Sequence, residues 1–125
     1  MIKFKIPIRT VSEANMTGEH WTKKSKRHKA QRVAVSLMFN AMPFYRKDPI
    51  SLPCKIIMTR IAPRKLDIGD NLPMSLKTIR DEIAEHLTGE TKAGRGDGDE
   101  RLQFEYKQEK GLPKEYAVRI EIVPA

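Results

Sequence analysis

Five stretches of this chain carry a clear apolar period, and their order restricts the fold more than any other feature. Ile2, Phe4, Ile6 and Ile8 alternate with Lys3, Lys5 and Pro7. Leu102, Phe104 and Tyr106 alternate with Gln103, Glu105 and Lys107, and Tyr116, Val118, Ile120 and Ile122 with Ala117, Arg119 and Glu121. A period of two is that of a half-buried strand. Two other stretches repeat at helical spacing. Ala30, Val33, Ala34, Leu37, Met38 and Ala41 form one apolar face, stopped by Pro43. Leu72, Leu76, Ile79, Ile83 and Leu87 form another, on a helix expected from about Asn71 to Leu87. Asp70 or Asn71 suits its N-cap, Pro73 its first turn and Gly89 its stop.

Cys54 to Ile61, closed by Pro63, is a further strand. Gly111-Leu112-Pro113 between the last two strands predicts a hairpin. The resulting order is β-α-β-α-β-β. It implies an α+β domain covering residues 1–125, with a mixed four-stranded sheet and two helices packed on it.

A chain of 125 residues buries a core without disulfide staples. Cys54 is the only cysteine, so zinc-type cysteine pairs and internal disulfides are excluded, and a reducing, cytoplasmic setting is expected. No apolar run reaches the ~20 residues of a membrane span, and the N-terminal alternation lacks the apolar block of a secretory signal. With 24 Lys plus Arg against 16 Asp plus Glu, the net charge is +8, which favours a polyanionic partner, nucleic acid first. The cations concentrate in Lys23, Lys24, Lys26, Arg27, His28, Lys29 and Arg32, at the start of the first helix. His20, His28 and His86 lie far apart without ligand spacing and read as ordinary surface or helix residues.

Within this basic chain lies an acidic island. Asp67 and Asp70 stand where a strand exit enters a helix, and Asp97 and Asp99 where a glycine-rich loop enters a strand. Sequence neighbours usually neighbour in space, so the two pairs are expected to converge, Asp70 and Asp99 sharing a metal. Phosphodiester hydrolysis suits such a set, because Mg2+ is a hard ion that takes carboxylate oxygens and keeps several waters. Arg64, Lys65, Lys77, Arg80, Lys92, Arg95 and Arg101 ring the island. Lys77 follows Asp70 by nearly two helical turns, about 10 Å on one continuous helix, and its ammonium could lean back toward a phosphate. Each residue also has a plainer reading. Asp70 suits a cap, Asp97 and Asp99 suit turns, and Lys77 with Asp81 suits a solvated i, i+4 pair.

Three stretches carry a resemblance: Leu66-Asp67-Ile68-Gly69-Asp70-Asn71-Leu72, then Lys77-Thr78-Ile79-Arg80-Asp81-Glu82-Ile83, then Asp97-Gly98-Asp99 before a strand. Together they resemble the RusA-like crossover junction endodeoxyribonucleases, often carried by phages and prophages. The match covers about Pro63 to Val123. In the N-terminal third it is limited to Asn15 and Trp21.

The resemblance implies a homodimeric endonuclease that resolves Holliday junctions or related branched DNA. It implies Mg2+ as cofactor, with Mn2+ able to substitute, and no membrane partner. Carried over by position, Asp67, Asp70 and Asp99 are catalytic metal ligands, Asp97 joins the metal set, and Lys77 is the accessory cation. DNA contacts are expected from Lys23, Lys24, Lys26, Arg27, Lys29, Arg32, Arg64, Lys65, Asn71 and Arg95. Two spacings differ from the best-known members: two residues separate Asp67 from Asp70, and Lys77 lies about one turn farther along. The rival reading is a non-catalytic basic DNA-binding protein of the same fold.

Overall fold

The computed structural model describes residues 2–11, 18, 20–41, 52–66, 71–89 and 100–125. Among these, the chain runs β1 (Ile2–Ile6), α1 (Trp21–Ala41), β2 (Cys54–Ala62), α2 (Asn71–Ser75), α3 (Lys77–Thr88), β3 (Leu102–Lys110) and β4 (Ala117–Pro124). The strands form one mixed sheet in the order β1-β4-β2-β3. β2 pairs β3 in parallel, while β4 runs antiparallel to both β2 and β1. The expected α+β architecture is therefore present, with three described helices instead of two. No described helix is long and apolar enough to cross a membrane.

The expected β3–β4 hairpin does not form. Among the described residues β3 pairs only with β2, and β4 inserts between β1 and β2. Residues 111–116 carry the chain across the end of β2, where Gly111 N donates to Ala62 O at 2.8 Å. A Cβ on Gly111 would stand 2.7 Å from Glu115 Oε1, the end of a flexible side chain, and 3.1 Å from Ile61 Cγ2, so a larger residue would displace Glu115 and press on Ile61. The physical reason lies in the strands. β2 is apolar enough to sit between two neighbours, whereas Gln103, Glu105 and Lys107 suit β3 to an edge. Charged side chains pair on the outer face, as in Lys55–Glu105 at 2.9 Å and Arg119–Glu109 at 3.0 Å.

The inner face carries the core. Phe4, Ile6, Cys54, Ile56, Met58, Leu102, Val118, Ile120 and Ile122 pack under Val35 and Phe39 of α1 and Leu72, Leu76, Ile79 and Ile83 of α2 and α3. The stripe from Leu72 to Ile83 is buried as expected, and Leu87 is half-buried beside it.

The second helix nevertheless breaks at Leu76. Ser75 Oγ donates to Leu72 O at 2.7 Å, the carbonyl that Leu76 N would take in a continuous helix, and Leu76 N turns to Pro73 O at 3.2 Å. Gly89 ends α3 as expected, with φ of 75° and its N–H on Glu85 O.

The apolar face of α1 differs from the expected one. Gln31, Val35 and Phe39 are buried, with Ala34 and Met38 packed against the core, whereas Val33 is 47% and Leu37 63% exposed. Size outweighs the number of apolar positions here. Phe39 meets Phe4 edge-on at 5.5 Å and stacks flat on His86 at 4.8 Å, and an aromatic ring buries more surface than several alanines.

Phe39→Ala should therefore cost about 3–5 kcal/mol in urea unfolding. Cys54 reports the same event: it is 1% exposed and burial raises its thiol pKa, so it should label only on opening, and faster in the variant. Equal labelling rates would place Phe39 outside the cooperative core.

Candidate nucleic-acid interface

α1 and α3 lie side by side on the sheet. Ser36 Oγ donates to Glu82 Oε1 at 2.9 Å and sits 3.1 Å from His86 Nε2, and Phe39 stacks on the same imidazole with the planes 3° apart. Toward the start of both helices this packing opens into a groove of about 380 Å³. Lys24, His28 and Arg32 line one wall; Lys77, Thr78, Asp81, Glu82 and Glu85 line the other. Residues 24, 28 and 32 continue the stripe that buries Val35 and Phe39. One face of α1 thus serves as core at its C-terminal end and as a cationic groove wall at its N-terminal end. Lys26 and Lys29 sit on a different side, around Ala30, Val33 and Leu37.

The opposite wall is graded in charge. Lys77 opens α3 and its Nζ is 2.9 Å from Asp81 Oδ2, on a surface where such a pair contributes a few tenths of a kcal/mol. Lys77 thus points one turn forward along α3, drawn by the opposite charge of Asp81. The break at Leu76 also removes the continuous helix on which its two-turn relation to Asp70 rested.

Asp81 Oδ1 is buried without a hydrogen bond, and Arg80 Nε is 3.7 Å away, too long for one. Arg80 Nη1 instead donates to Tyr106 Oη at 2.8 Å, fixing the first turn of α3 to β3. Deeper in, burial raises the Glu85 pKa, with Glu82 and Asp81 adding to the rise and Arg32 opposing it.

A second cationic region lies where β2 ends. Arg60, buried in an apolar strand, donates from Nε to Thr10 Oγ1 at 3.1 Å, from Nη2 to Thr10 O at 3.2 Å and from Nη1 to Arg64 O at 2.9 Å. Gln108 on β3 clasps Leu66 twice: Leu66 N donates to Oε1 and Nε2 donates to Leu66 O, each at 2.8 Å. The segment leading to Asp67 is thereby tied to the sheet, with Arg64 and Lys65 exposed between the two anchors. Arg9 stacks over Tyr116 at 4.5 Å nearby.

Comparison with protein-family models, with curated proteins and with solved structures found no match.

The structure brings Lys24, Arg32 and Lys77 together at one groove. It places Lys23, Arg27, Arg64 and Lys65 elsewhere on the surface and sets Asn71 as the first residue of α2. Asp67, Asp70, Asp97, Asp99 and Arg95 lie outside the described residues, as does the expected convergence of the four carboxylates. Among the described residues, no group of three His, Cys, Asp or Glu is placed to hold a metal.

Sequence reasoning missed Arg60, Gln108 and Tyr106 as anchors. An arginine inside the run Cys54–Ala62 was the available signal, since a buried charge demands partners. His28 and His86 are also more than surface residues: one lines the groove and the other stacks on Phe39.

Glu85 supplies a pH test. A raised carboxyl pKa favours the neutral form in the fold, so ionisation destabilises the native state as pH rises from the ordinary glutamate value through the raised one. Glu85→Gln should therefore raise Tm at pH 7, with the gain disappearing below the ordinary glutamate pKa. A gain that persists in acid would assign it to packing instead.

Proposed function

We propose that this chain is a Mg2+-dependent, structure-selective endodeoxyribonuclease that nicks branched DNA such as a four-way junction, acting as a homodimer. The observation that carries the reading is the groove. Lys24 and Arg32 of α1 face Lys77 at the turn of α3, and this turn follows directly on α2, which begins one residue after Asp70. A backbone phosphate held by Lys24 and Arg32 would face the start of α3, which follows Asp70 in sequence through α2. Phosphate contacts position DNA without reading its sequence, as a structure-selective enzyme requires.

The donor set suits the metal. Asp67, Asp70, Asp97 and Asp99 are hard oxygen ligands of the kind Mg2+ and Mn2+ take. When bound, the ion polarises the scissile phosphate and activates a water.

Of the described residues that adjoin the acidic pairs, Leu66 precedes Asp67, Asn71 follows Asp70 and Glu100 follows Asp99. Leu66 is held at Gln108 on β3, and Leu102 starts that strand, about 20 Å away at 3.3 Å per residue. Arg60 and Gln108 are positioning residues in this reading, since they fix the take-off of the Asp67 segment.

The resemblance to RusA-like resolvases adds the substrate and the dimer. A four-way junction is roughly two-fold, and a C2 pair of sites makes two opposed nicks. The exposed stripe of Ala30, Val33 and Leu37, rimmed by Lys26 and Lys29, is the surface we assign to that contact.

Asp70→Asn should abolish Mg2+-dependent nicking of a synthetic four-way junction while leaving binding equal or tighter, because a ligand charge and a repulsion toward phosphate vanish together. Mixing this variant with wild type should convert paired nicks into single ones. Undiminished cleavage would place the chemistry elsewhere, and binding by a wild-type protein that never cuts would favour the non-catalytic DNA-binding reading.

The groove is tested by salt. Replacing Lys24 and Arg32 with alanine should flatten the slope of log affinity against log salt by about two units, at about 0.9 per phosphate contact. An unchanged slope would move the DNA path to Arg64 and Lys65.

A further inference from the structure

Trp21, the only tryptophan of the chain, is the first residue of α1 and is 72% exposed. Its indole lies against the His20 imidazole, with centroids 5.8 Å apart and planes 27° from parallel. His20 is itself held to the helix start. Its Nδ1 is 2.7 Å from Thr22 Oγ1 and accepts the Thr22 backbone N–H at 3.3 Å, and its carbonyl accepts the Lys23 N–H at 3.1 Å. The two rings therefore form a shelf on the helix start, with its larger ring open to water.

A single exposed apolar side chain is unremarkable by itself. The surroundings of Trp21 are what give it meaning. Trp21, Lys24, His28 and Arg32 follow at helical spacing on one stripe, so the indole stands in line with the cationic wall of the groove, one turn and about 5 Å of helix axis beyond Lys24. An aromatic face next to a track of cations is the combination that binds unpaired nucleotides: the cations follow the backbone and the ring stacks a base, whatever its identity. Inside a duplex every base face is already covered by its neighbours.

We propose that Trp21, backed by His20, is a stacking platform for an unpaired base of single-stranded DNA whose backbone runs along Lys24, His28 and Arg32. The proposal rests on the DNA-binding part of the function proposed above, and it names a feature that flaps and forks with single-stranded arms offer and a fully paired duplex does not: unpaired bases.

The lone tryptophan makes the test direct. Wild-type protein, without added divalent metal, is titrated with a short oligothymidylate and with a blunt duplex of mixed sequence. Binding is followed by anisotropy of labelled DNA and stacking by tryptophan emission in the same samples. Oligothymidylate should quench Trp21 in step with the anisotropy change, while the duplex binds and leaves the emission nearly unaltered. Trp21→Ala should weaken oligothymidylate binding by roughly tenfold or more and leave duplex affinity unchanged. Trp21→Phe, which keeps a ring, should retain most of the single-strand affinity and guards against loss of the helix start.

Oligothymidylate binding without quenching, or equal losses for both DNAs in Trp21→Ala, would overturn the platform while leaving DNA binding in place. No anisotropy change with either DNA would overturn the DNA-binding reading and the platform together. A blue shift of the emission that follows protein concentration alone would assign Trp21 to a contact between copies and overturn it as well.

Discussion

β2 pairs along both of its edges, in parallel with β3 and antiparallel with β4, and its inner row buries Cys54, Ile56, Met58 and Arg60. Every other element takes its place from that double pairing. The parallel pairing with β3 requires a crossover, which α2 and α3 supply on the inner face. The antiparallel pairing with β4 gives β1 an edge to join, and with it Phe4, against which Phe39 sets the rotation of α1. A strand with a weaker apolar run could not stay between two neighbours, and the helices would lose the surface that orders them.

Polar tips then fix what apolar packing leaves loose. The inner row of β3 runs Leu102, Phe104, Tyr106, Gln108. Its first residues pack against the core, while Tyr106 holds Arg80 and Gln108 holds Leu66. A hydrophobic contact is non-directional, whereas a hydrogen bond sets distance and angle. The start of α3 and the segment before Asp67 are therefore registered to the same strand. Arg60 does the same from β2, and its buried guanidinium is tolerated because all three of its nitrogens donate.

Charge is arranged against this frame rather than spread over it. The stripe of α1 that is apolar over the sheet becomes cationic where it overhangs α3, and the facing wall changes from Lys77 at the helix start to Glu82 and Glu85 further in. The acidic end carries an electrostatic cost, visible in the raised pKa of Glu85. Positive charge along the groove is thus concentrated at the helix starts, the end nearest Trp21.

The sequence by itself determined the elements and much of the core. Period-two alternation identified β1, β3 and β4, and the Leu72-to-Ile83 stripe and Gly89 identified the second helical region and its end. These features are local: side-chain periodicity and the left-handed preference of glycine act within a few residues of chain.

Three things were decided only by tertiary structure. The β3–β4 connection crosses β2 because pairing depends on which strand best tolerates two neighbours, and a turn motif carries no information on that. The buried stripe of α1 was chosen by the fit of Phe39 between Phe4 and His86, partners more than 30 residues away in sequence. The groove that joins Lys24 and Arg32 to Lys77 exists only because α1 and α3 pack side by side, and contacts between residues so distant along the chain leave no periodic trace in the sequence.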